Sequence, residues 1–366
     1  MQLGRNIIHR LPAMIACCVA LGAGLVGAQE FPNGDWANPF VQDEPLTPPT
    51  PYQPPTQTFY VVSDFVGFSR LSPTATFARA NRTTTVLSGD DLEYAIAPGL
   101  RGILGVRLTD YYALEVGYLG LFDFNEQESV RSPDLNTFQT QGNLFSPFTN
   151  FGNPAQPGLD FNNFVSVASE TQFNTGELNV RRRWDLPSSG FQATGIWGLR
   201  YMSLADRFSY RSRSAVPVPN GSAVADDVNA YNRMFGTQLG GALEMHIERR
   251  AWINLEAKGL MLSNAAEQNT QFSTGPQFGP PTQTITGTGS QRRLCLGVDV
   301  QASLSWRFSP AIVGRVGYQA IFLEGVALGS DNFEKNLSNV AVDPSELVSD
   351  SRMTFHGPFT GLTVTW

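Results

Sequence analysis

The sequence predicts an all-β fold, an antiparallel transmembrane β-barrel of about ten strands, with twelve as the upper count. Strand-like segments alternate apolar and small polar residues, as in the stretch 359–366, because successive side chains of a strand point to opposite faces. Short turns and long polar gaps also alternate along the chain, which is typical of membrane barrels. Charged residues make up 16% of the chain, against roughly 25% in ordinary soluble domains. This shortage of charge fits an outer surface that faces lipid.

Residues 1–28 are predicted to be an export signal. Arg5 and Arg10 precede an apolar stretch from 11 to 26, and small residues stand before Gln29, the order found in cleaved signal peptides. The apolar stretch is about 15 residues long, whereas a transmembrane helix needs about 20. A lipid anchor at Cys17 is the alternative, but it would cut the apolar stretch short.

Residues 29–57 are predicted to be a periplasmic spacer. Eight prolines stand between Phe31 and Gln57, and proline can neither continue a helix nor donate to a strand ladder. The barrel is therefore expected to occupy residues 58–366.

Ten segments of this region are predicted to be strands, at about 58–69, 93–109, 111–124, 168–184, 191–212, 232–249, 251–264, 293–308, 311–325 and 353–366. The gaps near 110, 185–190, 250 and 309–310 are tight, and the gaps at 70–92, 125–167, 213–231, 265–292 and 326–352 are long and polar. Because the two kinds alternate strictly, short periplasmic turns should lie on one rim and long outer loops on the other. A soluble β-sandwich also has alternating strands, but it has no reason to sort its loops by length.

Aromatic residues are spaced as two girdles at the membrane interfaces. Phe191 and Tyr201 share a face ten residues apart, which corresponds to about 33 Å along a strand and roughly 25 Å of height at a tilt near 40°. That height matches the apolar band of an outer-membrane barrel. The predicted girdle on the short-turn rim consists of Tyr112, Trp184, Phe191, Trp306, Phe308 and Trp366.

The opposite face of the predicted strands carries charge of both signs. The residues expected to line the lumen are Arg101, Arg107, Glu115, Glu177, Arg181, Arg183, Arg200, Glu244, Glu256, Lys258, Asp299, Arg307 and Arg315. Such a balanced set should pair within the barrel, so strong ion selectivity is not expected. Barrels of about ten strands leave at most a narrow pore. The sequence thus predicts a narrow, charge-lined lumen for small solutes, or a wall that the charges only rigidify.

Composition and motifs also bear on partners and chemistry. The net charge of −7 becomes −9 when Arg5 and Arg10 leave with the signal, which argues against a nucleic-acid partner. After the signal only His246 and His356 remain, so a catalytic base beside a nucleophile is not expected. Neither a metal cluster nor a cofactor is predicted. The expected partners are outer-membrane lipid and the barrel-assembly machinery, which would meet the C-terminal strand.

Three stretches carry a family resemblance: Gly198 to Tyr201, Asn232 to Gly240, and Gly317 to Ala320 leading into 326–328. With them the chain resembles the putative outer-membrane β-barrel porin family that is seventh in its numbered series. The resemblance implies an outer-membrane barrel with a porin role and carries over no catalytic residues. Two alternatives stay open, a surface receptor or adhesin that acts through its long loops, and an outer-loop hydrolase.

Overall fold

The computed structural model describes residues 58–132, 142–185, 191–214, 223–276, 283–333 and 346–366. The predicted export signal and spacer lie outside these residues, and both stay predictions. No helix within the described ranges is long and apolar enough to cross a bilayer.

Thirteen strands are found among the described residues. In chain order they are β1 (Phe59–Arg70), β2 (Thr76–Ala80), β3 (Thr84–Ser88), β4 (Ala97–Arg107), β5 (Tyr112–Arg131), β6 (Leu144–Phe145), β7 (Asn162–Asp185), β8 (Phe191–Ser214), β9 (Ala223–Glu248), β10 (Ala251–Gly275), β11 (Gln283–Arg307), β12 (Ile312–Val326) and β13 (Ser351–Thr365). Ten of these, all except β2, β3 and β6, form a closed antiparallel ring. The predicted class and the count of about ten strands are confirmed.

The ring closes where β1 pairs with β13. Tyr60 lies opposite Thr365, and Phe59 and Trp366 exchange two backbone hydrogen bonds of 3.0 Å. Both strands therefore reach the same rim, which also holds the short turns after β4, β9 and β11. We call this rim the short-turn end and the opposite rim the long-loop end.

The outer surface of the ring is apolar. Leu239 is 71% exposed to the surroundings of the barrel, and Leu104 and Trp197 are each 62% exposed. Because every second side chain of a strand points outward, such residues form a continuous band that suits lipid. Six aromatic residues lie exposed at the short-turn end of this band: Tyr112, Trp184, Phe191, Trp306, Phe308 and Trp366.

Strands β7 to β11 extend well beyond the membrane. Each has 24 to 26 residues, which corresponds to about 60 Å of height at the usual tilt, against roughly 25 Å for the apolar band. The loops predicted at 213–231 and 265–292 are therefore wrong over most of their length, and the loop predicted at 125–167 is wrong at both ends. In β10 beyond residue 264, polar residues point outward, into water, and apolar residues such as Phe272 point inward, so this segment lacks the apolar outer stripe of a membrane-spanning strand.

The interior of the long-loop end is filled by an apolar plug. Phe333 lies at its centre, with ring centroids 5.2 Å from Phe208 and Tyr210, 5.4 Å from Phe148 and 6.1 Å from Phe77. Phe77 belongs to β2 and Phe148 follows β6, so two inter-strand connections fold inward against the wall. Hydrophobic burial of these rings holds the connections inside the barrel.

Residues 327–333 run from the end of β12 along the inner wall to β8; we call them the crossing segment. Asn232 of β9 clamps Ala327, with its Nδ2 donating to the carbonyl and its Oδ1 accepting from the amide, both at 2.7 Å. Farther along, the Gly329 amide donates to Asp206 Oδ2 of β8 at 2.7 Å. The backbone of the crossing segment is thus satisfied by wall side chains although it is buried.

Gly325 is the bend that directs the crossing segment inward. Its φ is +94°, and a Cβ there would lie 2.6 Å from the carbonyl oxygen of Leu294. We expect Gly325→Ala to lower the free energy of unfolding by about 1–3 kcal/mol, because the left-handed backbone and the close approach both penalise a side chain. The midpoint of guanidinium unfolding of the refolded barrel in micelles measures this. Gly259→Ala is the matched control, since its Cβ would meet nothing closer than 3.7 Å, and an equal loss in both variants would contradict the prediction.

Candidate functional site in the charged lumen

A carboxylate shared by two arginines lies at the seam of the barrel. Arg101 Nε donates to Asp64 Oδ2 at 2.6 Å, and Arg315 Nε donates to Asp64 Oδ1 at 2.7 Å. Both guanidinium groups also lie over the Phe359 ring, at 4.4 and 5.5 Å from its centroid. Asp64 is thereby saturated by charge-assisted hydrogen bonds, and strands β1, β4 and β12 are tied together from within.

Amide side chains carry the network from this seam across the lumen. Arg101 Nη1 donates to Gln301 Oε1 at 2.9 Å and to Gln319 Oε1 at 2.8 Å. Gln319 Nε2 in turn donates to Asp299 Oδ1 at 2.7 Å, and Arg200 Nη1 donates to the other oxygen of Asp299 at 2.8 Å. Since Arg101 belongs to β4 and Arg200 to β8, the chain of hydrogen bonds spans the ring.

The rest of the network centres on Lys258 and Glu256. Lys258 Nζ lies 3.1 Å from Glu177 and 3.2 Å from Glu256. The Arg181 guanidinium forms ion pairs with Glu256 at 2.8 Å and with Glu115 at 2.5 Å, and so connects the two carboxylates. Each buried charge in this group thus meets at least one opposite charge, which is the condition under which buried ions are tolerated.

The network is electrically neutral and nearly fills the lumen. Among the described residues it contains five cations, Arg101, Arg181, Arg200, Lys258 and Arg315, and five carboxylates, Asp64, Glu115, Glu177, Glu256 and Asp299. The cavity left between their side chains has a volume of about 20 Å³, room for about one water molecule. A gap of this size, lined by Arg101, Arg200 and Lys258 among others, admits a water molecule and no larger solute.

Nine of the thirteen residues predicted for the lumen lie in this network. The other four, Arg107, Arg183, Glu244 and Arg307, stand near the short-turn ends of their strands, where the Arg307 guanidinium lies 5.3 Å from the Trp252 ring centroid. Sequence reasoning missed the neutral members, namely Tyr60, Thr175, Gln238, Gln301 and Gln319. Their position on the same face as the charges would have revealed them.

A second polar cluster lies above the network, toward the long-loop end. Arg70 Nη1 lies 2.5 Å from Asp206 Oδ1, and Thr171 Oγ1 donates to the same oxygen at 2.6 Å. Because Asp206 also accepts from the crossing segment, it ties β1, β7 and β8 to that segment. Asp206 and Arg200 are an even number of residues apart in β8, so the alternation of the strand would have predicted that Asp206 also points inward. The crossing segment shows no alternation from which its position could be predicted.

A buried aspartate organises the connection between β5 and β7. Asp160 accepts from the amides of Ser146 at 3.0 Å and Gln156 at 2.8 Å, and from Thr149 Oγ1 at 2.8 Å. Burial raises the pKa of the Asp160 carboxyl above its ordinary value, although these hydrogen bonds favour the carboxylate. Asp160 therefore stabilises the connection between β5 and β7, and the same connection buries its carboxylate.

The two histidines stand apart from both clusters. His246 lies exposed near the short-turn end, stacked on Trp252 with centroids 6.0 Å apart. His356 lies half-buried in β13, where its Nδ1 is 2.6 Å from Tyr318 Oη. Tyr318 is 48% exposed on the outer, lipid-facing surface, so this pair faces away from the lumen.

Comparison with known proteins places this geometry in a family. The profile described as "Putative beta barrel porin-7" matches residues 72–365. The chain belongs to this family. The match begins just after β1 and runs to the end of β13, and it confirms the resemblance seen in the sequence. Membership in this family and the closed ring of strands together indicate an outer-membrane protein. No curated protein matches the chain.

Solved structures similar to this chain are outer-membrane barrels of low sequence identity. The outer membrane protease OmpT from Escherichia coli is 11% identical, with 84% of this chain and 97% of that chain covered and a TM-score of 0.43. The toluene transporter TodX from P. putida is 7% identical, covers 85% and 90%, and has a TM-score of 0.32. CarO from Acinetobacter baumannii is 11% identical, covers 83% and 97%, and has a TM-score of 0.22.

Proposed function

We propose that this protein is a porin-like barrel of the outer membrane whose lumen is closed at rest. The neutral ten-charge network, with room left for about one water molecule, carries the proposal. Barrels with open aqueous channels have 16 to 18 strands, whereas eight-stranded barrels are filled by their side chains. A ring of ten strands is close in size to these eight-stranded barrels, and its long charged side chains occupy the interior. Passage of a small solute therefore requires the network to rearrange.

The plug at the long-loop end supports a resting closed state. Phe77, Phe148 and Phe333 are buried at 3% exposure or less, and they fill the barrel interior above the charged network. A solute entering from outside therefore meets an apolar barrier first and a neutral charged barrier second. Neither barrier favours ions of one sign, so this proposal includes no strong anion or cation selectivity.

A second candidate is a surface receptor or adhesin that acts through its extracellular part. The observation that favours it is the length of β7 to β11, which raises an ordered wall about 35 Å above the apolar band. A barrel that served only as a channel would not need this wall. We place an outer-loop hydrolase below both, because His246 lies at the opposite rim and His356 is held by Tyr318 on the lipid-facing side. In all these roles we propose lipid as a partner and β13 as the strand that the assembly machinery meets.

Conductance in a planar bilayer tests the closed lumen. We expect the refolded mature chain to show no stable unitary steps. In a background where Phe333→Ala opens the plug of every variant, the Arg200→Ala/Asp299→Ala double variant should show them. That variant removes an ion pair of 2.8 Å without changing the net charge, so it widens the lumen without stranding a buried charge.

The control removes a pair of the same chemistry from the surface. Arg207 and Glu170 lie 3.4 Å apart and are 47% and 32% exposed, so the Arg207→Ala/Glu170→Ala variant should remain silent. Large, stable steps from the unmodified chain would refute the closed lumen. Silence of the Arg200→Ala/Asp299→Ala barrel, once shown to be folded by its heat-modifiable migration on gels, would remove the network from its role as a barrier.

A further inference from the structure

One arginine lies on the lipid-facing side of the barrel near the short-turn end. Arg182 stands in β7 opposite Tyr112 of β5 and Gly195 of β8, and its side chain is exposed. Its neighbours in β7, Arg181 and Arg183, alternate to the lumen side. An exposed cation on a surface otherwise made for lipid needs an anionic partner at the membrane interface.

Two aromatic residues of the girdle hold the Arg182 guanidinium. Its Cζ lies 5.1 Å from the ring centroid of Trp184 and 5.7 Å from that of Tyr112, within the range of cation–π attraction. No described carboxylate lies within ion-pair distance of it. Contact with two rings limits the rotamers of Arg182 before it binds, so less entropy is lost when it binds an anion.

The outer surface next to Arg182 is apolar. Gly195 and Gly241 pair across β8 and β9. The Trp184 ring lies over Gly195, where a Cβ would be 2.6 Å from the ring. Trp197 and Leu239, which are 62% and 71% exposed, pair across the same two strands two residues farther from the short-turn end. They lie toward the middle of the apolar band, where the acyl chains of a lipid with its headgroup at the rim would lie.

We propose that Arg182, Tyr112 and Trp184 form a binding site for the phosphate of a glycerophospholipid in the periplasmic leaflet. The arginine donates to the phosphate, as its planar fork suits, and the acyl chains lie against Trp197 and Leu239. The proposal rests on the outer-membrane location of the barrel and is independent of whether the lumen is closed.

Native mass spectrometry of the refolded barrel, released from a phosphate-free maltoside detergent, tests this site. Phosphatidylglycerol and phosphatidylethanolamine are titrated separately, and diacylglycerol serves as the probe without phosphate. We expect both phospholipids to bind and Arg182→Gln to raise their dissociation constants about tenfold, equivalent to about 1.4 kcal/mol. Diacylglycerol should bind at least tenfold more weakly than either phospholipid to the unmodified chain.

The matched control is Arg213→Gln. Arg213 is also exposed and lies over an aromatic ring, 5.7 Å from the centroid of Phe164, but it stands at the long-loop end. Its loss should leave the dissociation constants unchanged. Trp184→Leu keeps the charge and removes the ring that orients it, and about threefold weaker binding is expected. Binding by Arg182→Gln equal to that of the unmodified chain, or equal binding of diacylglycerol and phospholipid, would overturn the site. Conductance should be the same in Arg182→Gln and the unmodified chain, so a failure here is distinguishable from a failure of the closed lumen.

Discussion

Replacing Asp64 by alanine is expected to lower the free energy of unfolding by about 3–5 kcal/mol, one of the two largest effects in this protein. The carboxylate is the shared partner of Arg101 and Arg315, whose side chains are only 7% and 12% exposed. Its removal leaves two buried cations facing each other, and breaking a buried ion pair on one side has a cost of this size. The amide contacts of Arg101 with Gln301 and Gln319 remain but carry no compensating charge.

Guanidinium unfolding in detergent micelles, followed by tryptophan fluorescence, measures the Asp64 effect. Glu170→Ala is the control, because its partner Arg207 is about half exposed and surface ion pairs contribute about 0–1 kcal/mol. Similar losses in the two variants would mean that the seam is hydrated and that the buried network does not stabilise the ring. Asp64→Asn, which preserves shape, should fall close to Asp64→Ala if charge is the cause.

Replacing Phe333 by alanine is expected to have an effect of similar size, about 3–5 kcal/mol. The ring is 3% exposed and contacts Phe77, Phe148, Phe208 and Tyr210. Truncation would remove its transfer free energy and leave a cavity that a rigid barrel wall closes poorly. The crossing segment would then lose its largest apolar anchor and keep the polar contacts of Asn232 and Asp206.

The same unfolding assay, with near-ultraviolet circular dichroism to follow aromatic packing, measures the Phe333 effect. Phe235→Ala is the matched control, since Phe235 is 57% exposed on the lipid-facing side and its truncation leaves no internal cavity. Phe333→Leu should cost no more than about 1.5 kcal/mol because it keeps most of the volume. A loss below 1 kcal/mol for Phe333→Ala would show that the plug packs loosely.

The membrane-embedded part of the fold could be predicted because lipid imposes a simple rule. Inside the apolar band one face of each strand must be apolar, so residues such as Leu239 and Trp197 alternate with charged residues such as Arg200. That alternation was enough to predict the ring and the short turns near 110, 250 and 309–310.

The long-loop half could not be predicted in the same way. Above the band both faces of a strand meet polar or mixed surroundings, so the outward residues of β10 beyond 264 are alanine, serine, asparagine, glutamine and glutamate, as loops have. The inward residues Phe208 and Phe272 are buried by connections that are close in space but distant along the chain. The same holds for Phe333, whose partners come from β2, β8 and the segment after β6, a set that no local pattern specifies.

The seam has a consequence for the time order of assembly. Asp64 is in the first strand of the ring, and its partner Arg315 is 251 positions later. Until the last hairpin arrives, this carboxylate has Arg101 of β4 as a partner but lacks Arg315, and ionic groups are costly in hydrocarbon. A nascent chain must therefore keep the inner face of its first strands in water while the sheet grows. Closure of the ring and completion of the ion pairs around Asp64 then become a single late event. Premature release into the bilayer would expose the charged inner face of β1 to hydrocarbon.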